Sequence, residues 1–124
     1  LRDEDGRITI PGCADDVRAP TAAERAAIAA APSVDSALKE TLAIGRTEGH
    51  AASLAEQLLQ PALNVRGLRA GGVGSGAANA IVTEAHASID FRLVPDETPA
   101  RVRALVERHL AAQGWHVVSA TPDA

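Results

Sequence analysis

The side chains of this chain that could do chemistry gather in one stretch, ANAIVTEAHASIDFRLVP, from Ala78 to Pro95. Glu84, His86, Ser88, Asp90 and Arg92 occupy alternate positions there. In an extended strand they share one face, and Ala85, Ala87, Ile89, Phe91 and Leu93 share the other. His86, Ser88 and Asp90 are the residue types of a base, a nucleophile and an orienting carboxylate. Their spacing defeats that use: same-face neighbours on a strand stand about 6.6 Å apart and His86 and Asp90 about 13 Å, beyond the reach a nucleophile and its base require. His86 alone reads as a solvated or dimer-facing residue. Arg92 ends the polar face just before Pro95, where a strand meets loops and binding groups are commonly placed. Its guanidinium offers a two-pronged fork to a carboxylate, and the competing reading is a surface ion pair with Asp90 or Glu84. Asn79, at the exit of a glycine-rich loop, is either a turn residue or a donor to a substrate carbonyl.

Two other motifs carry less. Gly72, Gly74 and Ala77 satisfy the dinucleotide pattern G-x-G-x-x-G/A after a strand. That pattern works by presenting a helix N-terminus to a pyrophosphate, and an alternating strand follows here instead. The loop reads as a flexible hairpin connection. His50, His109 and His116 are scattered over different elements, and Cys13 is the single cysteine, so neither an internal disulfide nor a complete metal site within this chain is expected.

The elements that must position these residues follow from caps and periodicity. A charged turn at Asp3 to Gly6 leads into a short strand, Arg7 to Ile10, ended by Pro11 and Gly12. Thr21 and Glu24 form a capping box that opens an Ala-rich helix closed by Pro32. A second helix covers Asp35 to Ile44, with Val34, Leu38, Thr41 and Leu42 on one stripe and Gly45 as its stop. A third covers Ala51 to Leu59. Beyond Pro61 the character changes: a strand from Ala62 to Leu68, the loop RAGGVGSGAAN, and the long strand Ile81 to Leu93. Thr98 then caps a helix with Pro99 in its first position and Gly114 as its left-handed stop, and Trp115 to Ser119 makes a last strand. Residues 1–60 thus form an N-terminal segment of one short strand and Ala-rich helices. Residues 61–124 form the second half of a ferredoxin-like α+β fold, an antiparallel sheet with helices on one face, whose opening strand and helix are not visible in the sequence.

Composition bounds the function. The chain has 124 residues, enough for one domain, but Phe91 and Trp115 are its only large aromatics and its helices lean on alanine, so a thin core and marginal stability in isolation are expected. A formal net charge of -4, spread along the chain, gives no footprint for nucleic acid or for an acidic membrane surface. An RNA-binding sheet would also need stacking aromatics that the strand faces lack. The start LRDEDGRI has no basic or apolar leader character, and a cytoplasmic setting is expected. The chain contains no methionine, so it reads as processed or as a piece of something longer.

Beyond these features, DGRITIPG and DDV near the start, PALNVRGL with AGGVGSGAANAI in the middle, and SIDFRLVPDETPARV near the end resemble, in the same order, the lid or dimerisation domain of one family. It is the carnosinase, aminoacylase and desuccinylase group of two-zinc metallopeptidases and deacylases (peptidase family M20), and the likeness is closest to its dipeptidase branch. The resemblance implies a ferredoxin-like lid that pairs with its copy in a second subunit, sits beside its own zinc-binding catalytic domain, and reaches a substrate bearing a carboxylate. It also implies that Arg92 binds that carboxylate, that Asn79 contacts the substrate backbone, and that Gly74 and Gly76 belong to the flexible loop. Two zinc ions would belong to the parent enzyme. This chain, lacking the zinc ligands and the general base, would be inactive alone and contribute dimer contacts and substrate recognition to a dipeptidase or N-acyl-amino-acid deacylase. The chain departs from the family in having Cys13 and Ala14 where an aromatic pair is usual, and Val82 where a proline is usual. The rival from another class is a free-standing ferredoxin-like module that binds a small ligand or a protein.

Overall fold

The computed structural model describes residues 1–49 and 52–120. His50 and Ala51, the latter the start expected for the third helix, lie outside the described residues.

The first turns are shaped by local hydrogen bonds and anchored by the buried Ile10 and Cys13. The Asp3 carboxylate accepts the backbone N–H groups of Asp5 and Arg7 at 3.0 and 2.9 Å, and Gly6 takes a positive φ of 84°. This folds the first residues over on themselves. The strand expected at Arg7 to Ile10 is reduced to one antiparallel bridge between Arg2 and Ile8. Pro11 removes a donor and Gly12, at φ 88°, turns the chain, so consecutive turns replace a ladder. Helix α1, Ala22–Ala30, starts with the expected capping box, in which Thr21 and Glu24 satisfy each other's backbone N–H. It buries no residue.

Helix α2, Asp35–Thr41, is shorter than expected. Its end is a Schellman motif, with Ile44 N–H on the Lys39 carbonyl at 2.9 Å, Ala43 N–H on Glu40 at 3.2 Å, and Ala43 itself at φ 52°. Ala43 thus stops the helix two residues before Gly45. The stripe of Val34, Leu38 and Leu42 is exposed among the described residues. Helix α3, Leu54–Gln57, is a single turn opened by a second capping box, Ser53 with Glu56. The Asp35 carboxylate accepts the Leu54 N–H at 3.0 Å and ties α2 to α3.

The hairpin has β1, Ala62–Ala70, antiparallel to β2, Ala85–Arg92. Their register pairs Ala62 with Arg92, Leu63 with Phe91, Asn64 with Asp90 and Val65 with Ile89. A bulge at Arg66 then shifts the alternation, so Gly67 faces Ser88, Leu68 faces Ala87 and Arg69 faces His86. Without that extra residue, Leu68 and Arg69 would exchange faces. The bulge therefore keeps one side of the sheet apolar and the other polar.

Helix α4, Pro99–Ala112, is capped by Thr98, whose hydroxyl accepts the Arg101 N–H at 3.3 Å. It ends in a second Schellman motif at Gly114, with Trp115 N–H on the Leu110 carbonyl at 3.1 Å. Its inward side buries Val102 and Leu105. Leu105 meets Leu63, Ile10 and Cys13, with Ile8, Phe91 and Val106 packed around them. The core thus joins the first turns, the apolar face of the hairpin and α4. The last strand expected at Trp115 to Ser119 does not form, and those residues are exposed. The sheet of the described residues is β1 and β2 alone, and the segment pairs with neither strand. The architecture is the α+β one expected, an antiparallel sheet with a helix packed on one face.

Candidate substrate-binding face

The polar side of the hairpin is built by the same alternation that buries Leu63 and Phe91. At its base it carries Arg92, with Ala62 directly across the ladder, then Asp90 paired with Asn64. Further out come Ser88 opposite Gly67 and His86 opposite Arg69. Arg92 is exposed, while Asn64 and Asp90 are half-buried. Phe91, Arg92's neighbour in sequence, packs against the core, so the strand under Arg92 is fixed from the opposite face. The ion pair weighed against a binding role is absent. Among the described residues Arg92 meets no carboxylate, although Asp90 stands two positions away on its own face. Other arginines have acidic partners: Arg18 with Glu24, Arg101 with Asp16, and Arg103 with Glu107.

His86 lies 3.4 Å from Glu84, which precedes β2 and is exposed. Ser88 and Asp90 are separate steps along the strand, so the structure assembles no nucleophile-base pair. Among the described residues no group of three or more His, Cys, Asp or Glu side chains could hold a metal ion. The resemblance assigns the two zinc ions to the parent enzyme, and the described residues offer no such ligand group of their own. No helix of the described residues is long and apolar enough to cross a membrane.

Asn79, Gly74 and Gly76 lie in the loop between the strands. A short 3-10 turn, Gly74–Gly76, doubles this loop back. Gly74 needs its glycine for a φ of 59°. Gly72, which sequence reasoning passed over except in the rejected nucleotide pattern, is the tighter constraint, because a Cβ there would run into the Gly76 carbonyl. Asn79 is exposed and beyond the last ladder pair, Ala70 with Ala85. Arg92 stands at the other end. Seven strand steps separate Ala85 from Arg92, about 24 Å at the usual rise. The structure therefore places the two candidate binding residues at opposite ends of one hairpin.

Comparison with known proteins identifies the fold and the family. Residues 3–116 match the family model of the peptidase dimerisation domain. Among solved structures, an M20 family metallo-carboxypeptidase, Sso-CP2 from Sulfolobus solfataricus, is 36% identical at a TM-score of 0.79, over 94% of this chain and 27% of that one. The dipeptidase Dug1p from Saccharomyces cerevisiae shares the fold at a TM-score of 0.72 and 24% identity, over 91% of this chain and 24% of that one. A search of curated proteins gave no match. The chain belongs to the peptidase dimerisation domain family, the dimerisation domain of M20 metallopeptidases. It spans about a quarter of the length of the solved relatives.

Proposed function

We propose that this chain is the lid of a two-zinc dipeptidase or N-acyl-amino-acid deacylase, in which Arg92 grips the substrate carboxylate and Asn79, on the loop of Gly74 and Gly76, contacts the substrate backbone. The observation that carries the reading is the state of Arg92: exposed, held on a strand anchored from behind, and unpaired beside an available carboxylate. A guanidinium in that state offers both prongs of its fork to an incoming anion. The zinc ions belong, in this reading, to a catalytic domain outside this chain, and the isolated lid hydrolyses nothing. The buried free thiol of Cys13 fits a reducing, cytoplasmic setting.

The length of the hairpin adds a second part to the proposal. The seven strand steps from Ala85 to Arg92, about 24 Å, are more than one dipeptide-sized ligand can bridge, since two extended residues reach only about 7 Å, and Asn79 lies in the loop beyond Ala85. In this reading Arg92 and Asn79 of one protomer serve different substrate sites, and in a homodimer each loop reaches toward the site whose arginine belongs to the partner. Exposed Val65, Leu68, Val73 and Ile81 on the outer hairpin and its loop supply apolar surface for such a pairing.

In the full-length peptidase, Arg92→Ala should cost a few kcal/mol of transition-state binding, on the order of a hundredfold in kcat/KM. Unchanged kinetics would remove Arg92 from the site. Mixing Arg92→Ala protomers with Asn79→Ala protomers tests the division of labour. Mixed dimers should regain one intact site and about half the activity of the unaltered dimer, whereas no recovery would place both residues in one site.

A further inference from the structure

Asp90 is the residue on the polar face that the proposed function leaves unused. It is half-buried, two positions from Arg92 on the same face of β2, and makes no ion pair among the described residues. Its partner across the ladder is Asn64, which brings no charge to neutralise it. The face therefore presents an anion and a cation, both unpaired, at one strand repeat, about 6.8 Å. Two residues of extended peptide span nearly the same length, about 7 Å from end to end. A free dipeptide laid along β2 would set its ammonium on Asp90 and its carboxylate on Arg92. Its peptide bond would then lie over the gap between them, turned away from the sheet. Ala62, across from Arg92, is too small to block that lane.

We infer that Asp90 is a specificity-determining residue that reads the free ammonium of the substrate, so that Asp90 and Arg92 together gauge the length and charge of an unblocked dipeptide. The inference rests on the proposed role of Arg92 and goes beyond it, because it separates substrates with a free amine from acylated amino acids, which carry the carboxylate alone. An ammonium on a carboxylate is a charge-assisted contact, and its loss should be felt only by ligands that possess the ammonium.

The test uses the full-length enzyme with alanyl-glycine and propionyl-glycine, which differ only by the amine. Kinetics of hydrolysis are read for the first, and for the second either hydrolysis or competitive inhibition. Asp90→Asn should lower kcat/KM for alanyl-glycine about tenfold or more and leave propionyl-glycine unchanged, with Asp90→Ser behaving alike. Equal losses on both compounds would mean that Asp90 only supports the fold, and no loss on either would mean that it does not face the ligand; each result overturns the inference. Arg92→Ala should weaken both compounds. If it weakens neither, the carboxylate-binding role itself fails, a result distinct from failure at Asp90.

Discussion

The two ends of the hairpin are made from the same pair of strands and have opposite fates. At the base, Leu63 and Phe91 lie under α4, and Leu63 is 1% exposed. Arg2 adds to this end by donating to the Leu63 carbonyl at 2.8 Å. Toward the tip the same apolar face is uncovered: Leu68 is 75% exposed, and Ile81 in the loop is 93% exposed. The difference lies in what stands behind each end, since α4 and the first turns reach only the residues near Leu63. A two-stranded sheet without cover is marginal on its own. The base is therefore a platform, suited to hold Arg92 in one geometry. The tip is an arm whose apolar side chains stand exposed.

Paired truncations break this comparison most sharply. Leu63→Ala should destabilise the chain by about 2–4 kcal/mol, through lost transfer energy and the cavity left in an already small core. Leu68→Ala, two ladder pairs beyond Val65, should change the unfolding free energy by less than about 0.5 kcal/mol in the monomer. Urea unfolding of the two variants measures both. Similar losses would show that the tip is covered in solution.

Helix α4 and helix α1 extend the same contrast. Each begins with a threonine cap, but α4 buries Val102 and Leu105 while α1 buries nothing. Thr98→Ala should cost about 1 kcal/mol of global stability, because α4 is the lid of the core. Thr21→Ala should fray α1 alone, seen as faster amide exchange in that helix with the global midpoint unmoved. A global loss from Thr21→Ala would mean that α1 is packed against something.

How much of this was legible in the sequence depends on how local each cause is. The caps at Thr21 and Thr98, the stop at Gly114 and the alternation within Ala85–Arg92 need only neighbouring residues and stand as expected, whereas residues 81–84, expected to open the long strand, remain loop. The Ser53 and Glu56 box carries the same local signature. The bulge at Arg66 is set by pairing across the ladder, which no single strand displays. The apolar stripe of α2 has a real helical period yet stays exposed, and Trp115 to Ser119 has a strand composition yet joins no sheet among the described residues. Periodicity shows what a segment could bury, and tertiary context decides whether anything is there to bury it. For the site, the shared face of Asp90 and Arg92 was readable, but their unpaired state and the distance from Asn79 needed coordinates.

The smallest expected effect separates the two capping boxes. Both glutamates accept a threonine or serine hydroxyl and a backbone N–H, which holds each carboxyl below its ordinary value. Glu24 is pulled much further because the first and largest cause is the Arg18 fork, at 2.6 and 2.8 Å, which Glu56 lacks. A depressed folded value means that the interaction favours the folded helix above the ordinary carboxylate range and is lost only as pH falls through the folded value. In a carboxyl-carbon NMR titration Glu24 should therefore have a midpoint below that of Glu56. Arg18→Ala should move Glu24 up toward Glu56 and leave Glu56 alone. Because the group is exposed, salt should erode the difference without touching the base of the hairpin. Glu24 titrating with or above Glu56 at low salt would mean that the arginine fork is open in solution, and that the start of α1 is held by its threonine alone.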